Sequence, residues 1–510
     1  MAKKCIKKGC KRKQQTNCRD RCRQCCNEVQ ILNGESWTCP SCYKPVPNGP
    51  EHEPTKRCTN LPCHGRKECS NNGYGNVVGF GELQDSDDNV YAPQILVKLL
   101  EHNVRQFACG DSGEILALTR QGEVLSWNAD DEWEDFPVRK EGLEAFTTHI
   151  EAGAHHFIAL SSVGNIYVWG EYFHNDSGKS FRHIPLSSAD DNEERDGSTN
   201  WPVQLVYEPK KKAKSISSGL DFCAVHLEDN TMLTFGIGIE GQMARPVPGL
   251  ENASIEALNA DHLYPKPPLW ENGMPRKVLS IACGYDHLLV VAENQEVYSS
   301  GVNNYGQLGH GDVTAKHELT KINSLVGQDI AQVAAGDSFS YFVDQTGRKI
   351  SACGKGCNGQ LGLPLLQGSN PMVPSSSARK LPCRVPLIYN SIEEDQQIVE
   401  EAQPIAKQIS CGKDHVQLLT SSGELYSWGN NKTGKCGHGK SETVVWRPKK
   451  LELKYINEFL HVSAGRYSSL GVAMVDEEFL SLTKHAASFV RKRNPEKIAR
   501  VAPMLASIVE

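Results

Sequence analysis

Nowhere does this sequence offer the roughly 18 consecutive apolar residues that a membrane span requires. Its basic N-terminus has no apolar core behind the charges, which excludes a secretory signal as well. Short signatures of bond-making chemistry are missing too. There is no G-x-S-x-G, no G-x-x-x-x-G-K-S/T and no H-E-x-x-H, so neither a hydrolase elbow, a P-loop nor a zinc-protease helix is expected. An overall excess of positive charge is also absent: 55 basic residues face 61 acidic ones, for a net charge of −6, which excludes a chain-wide nucleic-acid binder.

Charge is instead concentrated locally. From Lys3 to Arg23 ten Lys and Arg residues meet a single acid, Asp20, a pattern that fits nucleic acid or the import machinery. The same end is rich in cysteine, with 11 of the 19 Cys before residue 70. A chain without a secretory signal meets reducing thiols, so this density points to metal rather than to disulfides. Cys22 and Cys25, then Cys39 and Cys42, form two C-x-x-C knuckles at a spacing suited to one tetrahedral structural zinc. Cys5, Cys10, Cys18, Cys58, Cys63, Cys69 and His64 leave a second site open. The WTCPSC ending looks like the last knuckle of a cross-brace finger, which keeps a ubiquitin-pathway adaptor among the alternatives.

Beyond residue 70 the chain repeats itself. Seven segments share a small residue followed by Gly and an apolar run: 107–118, 150–160, 216–227, 281–291, 333–343, 409–419 and 462–472. The first six are each followed by a polar turn and a second run, as in NIYVWG (165–170) or ELYSWG (424–429). Short runs rich in Val, Ile, Leu, Tyr and Phe between Gly-bearing turns predict hairpin strands, not helices. The seventh segment lacks its second run, while GNVVGFGE at 75–82 is a second run with no first. Joined, they complete one unit, which suits a closed ring and not an open array. The expected fold is therefore all-β: a seven-bladed propeller over 71–475, closed by its N- and C-terminal strands. A basic Cys-rich region precedes it at 1–70 and a helical tail follows at 476–510. In the tail Phe479, Leu482, Ala486 and Phe489 recur at helical spacing, and Asn494-Pro495 opens a second helix. Trp127, Trp169 and Trp428 are expected in blade cores.

The repeat, with AG-x-x-H, an L-x-x-x-G turn, WG and N-x-x-G-Q-L-G, resembles that of the regulator of chromosome condensation family. NNYGQLGHGD (303–312), CNGQLGL (357–363) and NKTGKCGHG (431–439) carry the likeness most closely. The resemblance implies a guanine-nucleotide exchange factor for a Ran-type small GTPase, which releases nucleotide without making or breaking bonds. It implies a nuclear protein, with a cytoplasmic share open, that is monomeric and reaches chromatin or nucleic acid through its basic end, with no membrane partner. A non-catalytic scaffold for protein or chromatin partners is the alternative. Carried over residue by residue, Asp221 matches a functional Asp of the GTPase-facing surface, and Glu82 stands where the family has Asp. EYFHNDSGKS (171–180) resembles the wedge, with Asn175, Asp176 and Gly178 at its tip. Two places depart: Ala154 stands near an expected acid, with His155 beside it, and Asp337-Ser338 replace a functional His. The His of the Asp286-His287 and Asp414-His415 pairs is expected to hydrogen-bond backbone within its own blade.

Overall fold

Six strands are buried at every residue: Glu114–Thr119, His156–Ser161, Phe222–Leu227, His287–Ala292, Phe339–Asp344 and His415–Thr420. A seventh, Ser468–Val475, is buried except at Met474. A strand with one wet face alternates apolar and polar residues. These do not, because each is sandwiched between neighbouring sheets. The computed structural model describes residues 76–81, 90–96, 102–128, 137–170, 204–245, 265–364, 377–387 and 403–476, with short breaks inside these ranges. All lie in the second of the two units, Met1–Tyr74 and Gly75–Glu510, into which the chain divides. The knuckle cysteines Cys22, Cys25, Cys39 and Cys42 and the tail helices fall outside the described residues.

Each buried strand is the second of its sheet. Seven antiparallel sheets result, numbered here as blades in the order of their first strands. The innermost strands of blades 1 to 7 are Val104–Cys109, Thr147–Ala152, Ala213–Ser218, Val278–Cys283, Ile330–Ala335, Ala406–Cys411 and Ile456–Ala464. Each touches the innermost strand of the next blade, and Ile456–Ala464 touches Val104–Cys109, so the circle is complete. Blade 7 is made from both ends of the described chain. Asn76–Gly81 pairs antiparallel with Ser468–Val475, Val77 opposite Val472 and Phe80 opposite Ser469. The expected seven-bladed, end-to-end closed propeller is thus the observed one.

Packing follows the same logic. There is no single core; one apolar cluster fills each of the seven blade interfaces. The cluster that joins blade 7 to blade 1 contains Val77, Leu470 and Val472 against Phe107, Ile115 and Trp127. Trp127, Trp169 and Trp428 are all buried, as expected, and Trp428 Nε1 donates to Tyr341 Oη at 2.8 Å. Loss of any large residue here costs about 2–5 kcal/mol, because a ring has no slack to refill the space.

The repeated Gly has a steric cause. The ring of the residue three positions on folds back over its α-carbon: His156 on Gly153, Phe222 on Gly219, His287 on Gly284, Phe339 on Gly336 and His415 on Gly412. A β-carbon on Gly284 would also come within 2.7 Å of the Gly336 carbonyl oxygen of the next blade.

Among the described residues, blade 3 has three strands where the other six have four. Its outer edge is met at one point, where Thr234 and Lys266 exchange backbone hydrogen bonds of 2.8 and 3.1 Å. The same segment then reaches blade 4, where Leu319 N donates to Leu269 O at 2.9 Å. Trp270 is buried there against Tyr298, ring centres 5.1 Å apart. Residues 265–270 therefore strap two blades together at their rim.

Candidate functional site

The turns between first and second strands all lie at one end of the ring, since every innermost strand runs outward to its Gly. Connections between third and fourth strands share this end: Gly170, Gly236, Gly301, Gly354 and Gly429 each stand opposite the first or second residue of a second strand or its flank. The segment 171–203, which includes the wedge-like stretch, leaves from Gly170 at this end. The turns are joined blade to blade. Ala154 N donates to Leu220 O at 3.0 Å, Leu220 N to Tyr285 O at 2.9 Å, Tyr285 N to Gly336 O at 3.1 Å and Lys413 N to Gly465 O at 3.4 Å. Across the channel mouth Arg466 of blade 7 donates from Nη1 to Tyr285 Oη of blade 4 at 3.1 Å.

Among the described residues four aspartates occupy these turns: Asp221, Asp286, Asp337 and Asp414. Their surroundings divide them. Burial alone would raise the Asp414 carboxyl, but Lys435 pairs with it and Asn430 Nδ2 donates to it at 2.7 Å, which hold it below the usual carboxylate range. Asp286 is pushed up to about 6, first by burial and then by its acidic neighbours Asp337 and Glu240. Asp337 is also raised by burial, although Lys355 and Lys413 pull the other way. Ser338 Oγ donates to Asp337 Oδ1 at 3.3 Å. Lys355 lies over the Tyr305 ring at 5.3 Å. The end surface is a mosaic: one carboxylate locked by its own lysine, and two crowded together and raised by burial.

The sequence-expected residues Asp221, Asp337 and Ser338 therefore share one surface, in blades 3 and 5. Glu82, His155, Asn175, Asp176 and Gly178 lie outside the described residues. Asp286, Glu240, Tyr285 and Arg466 join the surface without having been singled out for it. Their signal was available: Asp286 and Asp414 follow the repeated Gly at the same distance as Asp221.

The turn histidines are structural, yet not in the expected way. His287 Nε2 lies 2.9 Å from Ser340 Oγ of the next blade, and that hydroxyl donates to Gln307 O at 2.7 Å. His415 repeats this with Ser469, at 2.8 Å, which donates to Lys435 O at 2.7 Å. Since each serine spends its one proton on a carbonyl, the histidine donates from Nε2 and leaves Nδ1 as a lone pair. The bond expected to backbone within a blade is thus a side-chain bond between blades. Burial pushes both imidazoles down to about 3. Among the described residues, no group of three or more His, Cys, Asp or Glu side chains could hold a metal ion, and no helix is long and apolar enough to cross a membrane.

A family model described as the RCC1-like domain matches residues 69–471. Human E3 ubiquitin-protein ligase HERC2 is 23% identical over 80% of this chain, which spans 8% of that protein. Mouse RCC1 domain-containing protein 1 is 30% identical over 37% of the chain, which spans 53% of it. The Arabidopsis thaliana ultraviolet-B receptor UVR8 is 24% identical over 72% of the chain and is spanned to 74%. Among solved structures, Prp20p from Saccharomyces cerevisiae superposes with a TM-score of 0.61 at 21% identity, covering 82% of this chain and 95% of Prp20p. Human WBSCR16 does so with a TM-score of 0.59 at 18% identity, covering 79% of this chain and 99% of its own.

Proposed function

This chain belongs to the RCC1-like domain family, and from that premise we propose that it is a guanine-nucleotide exchange factor for a Ran-type small GTPase, acting in the nucleus at chromatin. The observation that carries the reading is the shared end surface. It gathers Asp221, Asp286 and Asp337 around the channel mouth, beside the point where the blade 2 connection leaves Gly170. Prp20p, which has the same fold, is described by its binding to Gsp1p and histones.

Such a factor needs no reacting group. It binds the nucleotide-free GTPase more tightly than the loaded one, and linkage then weakens nucleotide binding by the same factor. In this reading the crowded carboxylates, together with Glu82, His155 and Ser338, receive basic side chains of the GTPase. Asn175, Asp176 and Gly178 press on its phosphate-binding region. The basic N-terminal end, with zinc on Cys22, Cys25, Cys39 and Cys42, holds the monomer at chromatin.

The test is release of fluorescent GDP from a Ran-type GTPase by the purified full chain. Acceleration that Asp221→Ala reduces supports the reading; release no faster than from the GTPase alone overturns it. A scaffold is the second reading. It is favoured by Ala154, which is buried, with its N–H spent on Leu220. Stable binding of GTPase or histone without acceleration would establish it.

A further inference from the structure

The channel end away from the aspartates has the opposite character. Arg105 and Lys407 stand near the start of the innermost strands of blades 1 and 6, and His149 and His461 on those of blades 2 and 7. These are four consecutive blades. Arg105 reaches to blade 2, where Nη2 donates to the carbonyls of Thr147 at 3.1 Å and Thr148 at 2.7 Å, while its Nε is buried without a partner among the described residues. Gln408 Nε2 donates to Val462 O at 2.8 Å and faces His461 Nε2 at 3.3 Å, so that nitrogen accepts. The ring proton is then on Nδ1, which is buried and has no acceptor. Among the described residues no ion pair engages Arg105, His149, Lys407 or His461.

Electrostatics agree with the geometry. Burial lowers Arg105, with Arg120 second; His149 is open to solvent but crowded by surrounding protein, and this desolvation lowers it, with Arg105 second. Burial takes His461 down to about 4, helped by Lys407, His149 and Arg105. No acid enters any of these shifts. Glu151, farther in on blade 2, is pushed up to about 7 by burial and carries little charge below neutral pH. Glu458, on the strand of His461, is exposed and sits beside Gly423.

We infer that this mouth binds a compact phosphate-bearing polyanion, held by Arg105 and Lys407 with His149 and His461 as donors. Unopposed cations and unfilled donors suit phosphate oxygens. The ligand is compact because the four groups meet at one mouth, where Lys407, His149 and Arg105 all act on His461. Binding is proton-coupled: both histidines are neutral in the free protein near pH 7, and an anion beside them favours their charged form, so affinity rises as pH falls. The inference does not rest on the exchange reading.

Titration calorimetry of the full chain with sodium tripolyphosphate tests it. One saturable site is expected, at least about fivefold tighter near pH 6 than near pH 7.5, with proton uptake read from buffers of different ionisation heat. Arg105→Gln combined with Lys407→Gln should weaken binding about tenfold or more while thermal unfolding moves by no more than a few degrees. His149→Gln combined with His461→Gln should retain binding near pH 7.5 and lose most of the proton uptake, leaving only the share that Glu151 and the tripolyphosphate itself contribute. Non-saturating heats overturn the inference. So does wild-type affinity in the Arg105/Lys407 variant, which would assign the anion to the basic N-terminal segment.

Discussion

Gln307 of blade 4 and Lys435 of blade 6 occupy the same place in equivalent loops. The carbonyl of each accepts the serine hydroxyl of the following blade, Ser340 and Ser469 respectively. The residue after each is held by an Asn side chain, Asn303 and Asn431. The side chains then part ways: Gln307 Oε1 accepts from Tyr305 N at 3.0 Å, whereas Lys435 pairs with Asp414. One residue therefore decides whether the turn aspartate is neutralised from within the ring. Gln307→Lys should give Asp286 an internal partner, lower its pKa and weaken GTPase association about fivefold, read as a raised KM in the exchange assay with unchanged thermal unfolding.

Lys435→Met should do the converse damage. It leaves Asp414 buried without its cation, and such losses cost about 3–5 kcal/mol. Urea unfolding near pH 7 measures it, and the deficit should shrink near pH 4, where the orphaned carboxyl takes up a proton.

Tyr285→Phe removes the hydroxyl that accepts from the Arg466 guanidinium across the channel. The expected stability loss is about 1 kcal/mol, as for one hydrogen bond. Because the Tyr285 backbone also ties the turns of blades 3 and 5, the exchange rate should fall severalfold, more than the stability change accounts for. Equal activity in the variant would show that the cross-channel bond has no part in arranging the turns.

Gly284→Ala and Gly336→Ala probe the folded-back rings. Each new methyl would meet an aromatic ring of its own blade and a carbonyl of the next, at 2.7 Å for Gly284 and 2.8 Å for Gly336. Neither side can yield without opening a blade interface, so each should lose about 3 kcal/mol or more in denaturant unfolding.

His287→Phe tests the pH linkage. His287 is held near 3 in the fold against about 6.5 unfolded, so the unfolded chain binds the proton first. Its contribution to stability is intact above about pH 6.5 and declines as pH falls toward 3, by about 2 kcal/mol at pH 5. Phe is tolerated at the equivalent Phe222 and Phe339, so the variant should match the wild type near pH 7.5 and lose about 2 kcal/mol less between pH 7 and pH 5. Comparing the two proteins at each pH cancels the opposite contributions of Asp286 and Glu151, whose raised pKa values make them stabilise the fold on acidification.

Much of the architecture is legible in the sequence, because the repeat is local. The small–Gly step, the Asp-His pair and the Trp positions recur at fixed offsets, and the unmatched halves at 75–82 and 462–472 announced the closure. What escaped were contacts between residues far apart in the chain. The His287–Ser340 bond joins residues of adjacent blades, and the Arg466–Tyr285 bond joins blades on opposite sides of the ring. No offset within one repeat encodes either. The difference between Asp286 and Asp414 was readable only after the loop was seen to place Gln307 and Lys435 beneath the turns. The strap at 265–270 escaped because it too is a contact between distant segments, Lys266 with Thr234 and Leu269 with Leu319.

Blade 7 also sets a timetable for synthesis. Asn76–Gly81 is made early, but its partner Ser468–Val475 leaves the ribosome almost 400 residues later. Until then six blades can stack while one apolar strand and the facing flanks of blades 1 and 6 wait uncovered. A stalled or truncated chain thus presents all of these apolar surfaces at once, and stays prone to aggregation until the last strand docks.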